Sequence, residues 1–104
     1  MAGFVQVANV SEVPDPGKVL VEVDDRLLAL FHVGGQWYAI DDVCTHDGGE
    51  LAGGAVEGDV VICPRHGARF CLRTGTAMTP PAYEPVRTYP TRVVDGTVEI
   101  EVPD

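Results

Sequence analysis

The sequence predicts an all-β fold, a β-sandwich or barrel base carrying one inserted lobe, and three observations support that expectation. Apolar and β-branched residues come in short runs that end before any helical periodicity develops. The dipeptides Gly34-Gly35 and Asp95-Gly96 sit between such runs, and residues that accept positive φ are what tight hairpins require. Eight prolines and twelve glycines punctuate the 104 residues, so no long helix has room.

The elements follow from the same signals. Phe4-Val5-Gln6-Val7 reads as a first strand, and Ser11 to Gly17, with Pro14 and Pro16, as a turn that opens on a single helical turn at Ser11. Val19 to Val23 and Leu27 to Val33 are β-rich runs around an Asp24-Asp25 turn. Gly34-Gly35 then leads into the strand Gln36-Trp37-Tyr38-Ala39-Ile40. From about residue 42 to residue 72 the composition changes, with glycines at 48, 49, 53, 54, 58 and 67, and this segment reads as a lobe inserted between strands of the base. Within it, Gly58-Asp59-Val60-Val61-Ile62 is expected to form a turn and a short buried strand that delivers Cys63. Arg69-Phe70-Cys71-Leu72 is expected to be a strand leading away. Val86 to Val94 and Thr97 to Val102 flank Asp95-Gly96 as a last hairpin, and residues 1–104 are expected to form a single domain.

Composition narrows the function. Sixteen acidic residues against seven Lys and Arg give a formal charge of −9, which repels nucleic acid and anionic lipid while favouring basic patches on protein partners. No apolar stretch is long enough to cross a bilayer, and Met1-Ala2-Gly3-Phe4-Val5 lacks the basic region and apolar run of a secretory signal. A monomeric cytoplasmic module is the expectation, helped by Cys71, a third cysteine with no partner to suit an oxidising compartment.

Chemistry concentrates in two segments, Cys44-Thr45-His46 and Cys63-Pro64-Arg65-His66, with sixteen residues between His46 and Cys63. Each offers one thiolate and one imidazole. Two matched pairs suit a [2Fe-2S] centre in which two cysteines hold one iron and two histidines the other, the Rieske arrangement. With neutral histidines, two ferric ions, two sulfides and two thiolates sum to zero charge, whereas four thiolates would leave a dianion. The neutral cluster accepts an electron more readily, hence its higher potential. Structural zinc is the competing reading of the same four residues, although zinc modules more often pair cysteine with cysteine and histidine with histidine. Elsewhere, His32 lies in a strand pattern far from both segments and is expected to be structural. Cys71 is expected to be a small buried hydrophobe, and Trp37 and Tyr38 packing residues. Lys18 is placed in a strand remote from the cluster, and the roles of Arg65 and Arg69 stay open between tuning, partner contact and solvation.

These motifs, with Gly67, Arg69-Phe70-Cys71-Leu72-Arg73-Thr74-Gly75 and Pro80-Pro81-Ala82, resemble the Rieske-type [2Fe-2S] ferredoxins of bacterial multicomponent non-haem iron (aromatic-ring-hydroxylating) dioxygenase systems, over nearly the whole chain. The resemblance implies one [2Fe-2S] cluster per chain, with Cys44 and Cys63 on the inner iron and His46 and His66 on the outer one. It also implies a carrier with no catalysis of its own. Its donor would be a flavin-containing ferredoxin reductase and its acceptor a terminal oxygenase with its own Rieske centre. Ferredoxins of other redox or iron–sulfur assembly pathways share the pattern, and nitrite reductase small subunits share the fold but typically lack the ligands. High-potential relatives carry an extra cysteine in each cluster loop, where this chain has Gly49 and Arg65. They also carry serine and tyrosine hydroxyls aimed at sulfur, where it has Ala68 and Phe70. Losing donors that stabilise the reduced cluster implies a low potential within the Rieske range.

Overall fold

A computed structural model describes residues 3–42, 55–62, 69–78 and 85–102. Among them lie ten strands: β1 Gly3–Asn9, β2 Gly17–Val23, β3 Arg26–Val33, β4 Gln36–Asp41, β5 Ala55–Glu57, β6 Val60–Ile62, β7 Arg69–Cys71, β8 Thr88–Tyr89, β9 Thr91–Val94 and β10 Thr97–Val102. A 3-10 turn, Val10–Glu12, stands where the sequence suggests a single helical turn, and the Glu12 carboxylate accepts the Asn9 N–H at 2.7 Å. The strands make three antiparallel sheets, β1-β10-β9, β2-β3-β4-β8 and β5-β6-β7.

Strand β3 explains the layering. Successive side chains on a strand face opposite sides, yet Leu28, Ala29, Leu30 and Phe31 are all buried. Leu28 and Leu30, with Ala39 and Tyr89, pack on Val98, Ile100 and Val102 of β10. Ala29 and Phe31, with Ile40, pack on Val61, Phe70, Leu72 and Val86. The β2-β3-β4-β8 sheet is therefore the middle of three layers. The lobe sheet covers the face that the two-sheet base would otherwise leave in water. An unbroken apolar run such as Leu27 to Phe31 is what a strand covered on both faces needs.

Three hairpin turns have left-handed backbone at both central residues: Asp24-Asp25 (φ 50° and 65°), Gly34-Gly35 (59° and 77°) and Asp95-Gly96 (51° and 77°). Such turns match the twist of the strands they join. The Asp15 carboxylate secures the second by accepting the Gly34 and Gly35 N–H groups at 3.0 and 2.6 Å.

One expectation needs correction. The run Val86 to Val94 is not one strand: β8 pairs with β4 through Ala39↔Tyr89 and Ile40↔Thr88, whereas β9 pairs with β10. Pro90 stands between them and has no N–H to donate, so the ladder breaks there and the chain passes from the middle sheet to the outer one. Strand β5 had no sequence signal of its own, because three residues are too few for alternation to show. Pairing with β6 defines it.

Candidate metal centre

The lobe sheet sets the geometry. Ala55 opens β5 and pairs with Ile62, the last residue of β6, and Ile62 pairs with Arg69, the first residue of β7. Beyond Arg69 the chain returns alongside β7. Phe70 bridges to Ala77, and the Met78 N–H donates to the Arg69 carbonyl at 2.7 Å. Ala55, Ile62, Arg69 and Met78 thus stand side by side at one end of the sheet. At the usual spacing of neighbouring strands they span about 15 Å. Three segments begin or end on that row: 43–54 finishes at Ala55, 63–68 runs between Ile62 and Arg69, and 79–84 starts after Met78.

Cys44, His46, Cys63 and His66 lie in these segments, outside the described residues, as do Asp47, Gly48, Gly49, Arg65, Gly67, Ala68, Pro80 and Pro81. Among the described residues, no group of three or more His, Cys, Asp and Glu converges on a metal position. What the described chain does show is how the segments are held. The Asp41 N–H donates to the Arg87 carbonyl and the Asp42 N–H to the Leu27 carbonyl, both at 3.0 Å, fixing the chain where segment 43–54 begins. The Val86 N–H donates to the Gly75 carbonyl at 2.8 Å just after segment 79–84. Gly75 has φ +77°, and a Cβ there would stand 2.1 Å from the Val86 carbonyl oxygen, so only glycine permits that approach.

The described candidates fall into place individually. His32 is structural: its Nδ1–H donates to the Val13 carbonyl at 2.9 Å, and its ring stacks on Trp37 with centroids 3.9 Å apart. Trp37 and Tyr38 pack, as expected, against the two cores on either side of the middle sheet. Arg69 pairs with Glu57 at 2.9 Å, an exposed bridge across the lobe sheet. Phe70 is fully buried in the lobe core.

Cys71 departs from expectation, because it is only half-buried. The Thr74 side chain hydrogen-bonds its sulfur and holds the thiol below its ordinary range. Lys18, in β2, lines a cleft of about 170 Å³ together with Pro16, Gly17 and, from the lobe sheet, Val56. Sequence reasoning missed Tyr89. The Tyr89 hydroxyl donates to Asp41 Oδ1 at 2.5 Å and accepts from Arg26 Nη1 at 3.4 Å. Burial and the Asp41 carboxylate raise its pKa. Nothing in Thr88-Tyr89-Pro90 taken alone signals a partner 48 residues away.

Comparison with known proteins adds identity to this geometry. The Rieske [2Fe-2S] domain family matches residues 3–90. The 3-phenylpropionate/cinnamic acid dioxygenase ferredoxin subunit of Photorhabdus laumondii is 43% identical over 97 residues, which are 92% of this chain and 91% of that protein. The solved Sphingomonas yanoikuyae B1 ferredoxin is 33% identical, with a TM-score of 0.90 over 97% of this chain and all of its own. A chain from a complex of reduced oxygenase and oxidized ferredoxin in carbazole 1,9a-dioxygenase is also 33% identical, with a TM-score of 0.88 over 93% of this chain and 91% of its own. A Rieske [2Fe-2S] cluster therefore replaces structural zinc as the cofactor, and electron carriage without catalysis is the activity. With 88 of its residues matched by the family and ferredoxins among its relatives, the chain belongs to the Rieske [2Fe-2S] domain family.

Proposed function

We propose that residues 1–104 act as a single redox module in a dioxygenase system, with the lobe at about residues 42–72 as its electron port. Cys44 and Cys63 would hold the inner iron and His46 and His66 the outer one. The donor set fits: two thiolates and two imidazoles match the Rieske requirement. The observation that supports the reading is the row Ala55, Ile62, Arg69 and Met78, since segments 43–54 and 63–68, which contain the two Cys/His motifs, both adjoin that row in the sequence. When bound, the cluster supplies a one-electron couple. The protein's share is to bind it, shield it and present it.

The electron donor is proposed to be a flavin-containing reductase and the acceptor a terminal oxygenase with its own Rieske centre, since relatives are dioxygenase ferredoxin subunits and one structure pairs ferredoxin with oxygenase. A net charge of −9 supports steering toward basic partner surfaces. Cys71, free among the described residues, suits a reducing compartment and hence the cytoplasm. No helix among the described residues is long and apolar enough to cross a membrane.

Electron paramagnetic resonance of the dithionite-reduced protein tests the assignment. Ala at His46 or at His66 should abolish the native Rieske signal, and Ala at His32 should retain it. An unchanged spectrum after both loop histidines are replaced overturns the ligand set.

A further inference from the structure

We infer that Tyr89 and Asp41 form a side-chain clamp that positions the segment bearing Cys44 and His46, so that Tyr89, in a strand of the base, is a positioning residue for the cluster. The inference rests on the ligand reading given above. Tyr89 lies across from Ala39 in the β4–β8 ladder, and its hydroxyl reaches diagonally along the same face to the Asp41 side chain, two residues on. A 2.5 Å O–H···O contact to a carboxylate belongs to the short, charge-assisted class, which is stronger than a neutral hydrogen bond. Arg26, at the start of β3, donates to the same hydroxyl at 3.4 Å, and the Arg87 guanidinium lies 5.5 Å from the centre of the Tyr89 ring. Cations from β3 and from the residue just before β8 therefore flank one buried phenol. Asp41 is the last residue of β4, three positions before Cys44.

Main-chain hydrogen bonds already hold Asp41 to Arg87 and Asp42 to Leu27. Those bonds fix the main chain of the strand end, and the Tyr89–Asp41 bond adds a side-chain tie to the base at the same point. The same carboxylate and phenol could serve packing alone, and the two roles differ in what their loss does. A packing defect lowers stability wherever it lies. A lost clamp alters the cluster's surroundings in particular.

The test uses the cluster-loaded protein. Tyr89→Phe removes one oxygen, Asp41→Ala removes the acceptor, Asp41→Asn keeps an acceptor oxygen, and Thr91→Val breaks the neighbouring Thr91 hydroxyl bond to the Trp37 carbonyl, which measures 2.9 Å. Reduced-state g values and the rate of bleaching in chelator are read beside thermal unfolding. Tyr89→Phe and Asp41→Ala should shift the g values and speed bleaching by about tenfold, the lower end of what supporting contacts around metal ligands contribute. The double variant should add little to either change, Asp41→Asn should lie nearer wild type, and Thr91→Val should leave the g values in place.

Wild-type spectra in both Tyr89→Phe and Asp41→Ala would overturn the clamp alone, as would an equal shift in Thr91→Val. A wild-type protein with no Rieske spectrum would overturn the cluster reading, and the clamp with it. Should Tyr89→Phe fail to fold, the Asp41 pair decides: Asn near wild type with Ala altered supports the clamp, and equal behaviour overturns it.

Discussion

Base and lobe are built from the same kind of antiparallel ladder but to different standards of self-sufficiency. In the base, β2 and β3 pair over seven residues and β3 and β4 over six, and the core between the sheets includes Leu28, Leu30, Val98, Ile100 and Val102. In the lobe, β5, β6 and β7 have three residues each. The lobe's buried side chains, chiefly Val61, Phe70 and Leu72, find their packing on Ala29, Phe31 and Ile40 of the middle sheet. Strands this short are marginal by themselves, so the lobe depends on the base beneath it. A bound metal group that links separate segments contributes its binding energy to folding. Stability in this molecule is therefore graded, and the lobe proposed to carry the cluster is its least self-supporting part.

The largest expected effect breaks that comparison at the cluster. Removing the metal with a chelator, or replacing Cys63 with Ala, should strip amide protection from β5, β6, β7 and residues 76–78 while β3, β4 and β10 stay protected. Hydrogen exchange followed by mass spectrometry reads this directly. Uniform loss of protection would show that base and lobe are one cooperative unit.

Next comes the lobe core. Phe70 is fully buried, and Phe70→Ala should cost about 3–5 kcal/mol, a large share of the stability of a small domain. Denaturant unfolding measures the loss, and cluster retention should fall with it. Val98→Ala in the base should cost less and leave the cluster signal intact, since Val98 packs on the opposite side of the middle sheet.

A smaller effect is expected at Gly75. Alanine at φ +77° costs about 1–2 kcal/mol from backbone sterics alone, and the 2.1 Å approach to the Val86 carbonyl oxygen forces the chain at Val86 to move as well. Gly34→Ala, at φ +59° with open space around it, should show only the backbone part. A thermal melt of the two variants separates the contributions, and equal losses would mean that the Val86 contact relaxes freely.

The smallest effects are protonic and run in opposite directions. Burial and then the Asp41 carboxylate raise Tyr89 above its ordinary 10.0, so the folded base keeps a proton that the unfolded chain releases. Its contribution is fully present below pH 10 and is lost as pH rises through the higher folded value. Hydrogen bonding by Thr74 lowers Cys71 below 9.0, so its contribution is present above pH 9 and fades as pH falls through the lower folded value. Tyr89→Phe should flatten the alkaline limb of stability against pH. Thr74→Val should slow alkylation of Cys71 near neutral pH by reducing its thiolate fraction. An unchanged alkylation rate would mean that the Thr74 contact does not govern the thiol.

Most strands were legible in the sequence because β-branched runs, paired turn residues and prolines act locally. Gly34-Gly35 and Asp95-Gly96 could be read as hairpins from two residues each, and Phe4, Val19 and Thr97 each fall within the strand expected of them. The four proposed ligands rest on residue type and spacing alone, which metal chemistry limits whatever the fold around them, and they lie outside the described residues. Other features depend on residues far apart in the chain. The switch of sheet at Pro90, the covering of the middle sheet's second face, the existence of β5 and the row Ala55, Ile62, Arg69 and Met78 all depend on which strand lies beside which. The half-exposure of Cys71 and the meeting of Tyr89 with Asp41 were likewise decided by tertiary structure. The physical reason is that turn preference, alternation and ligand chemistry are properties of a few adjacent residues. Burial and long-range hydrogen bonds are set only when distant segments share a layer, and the free energy of that packing overrides local preference.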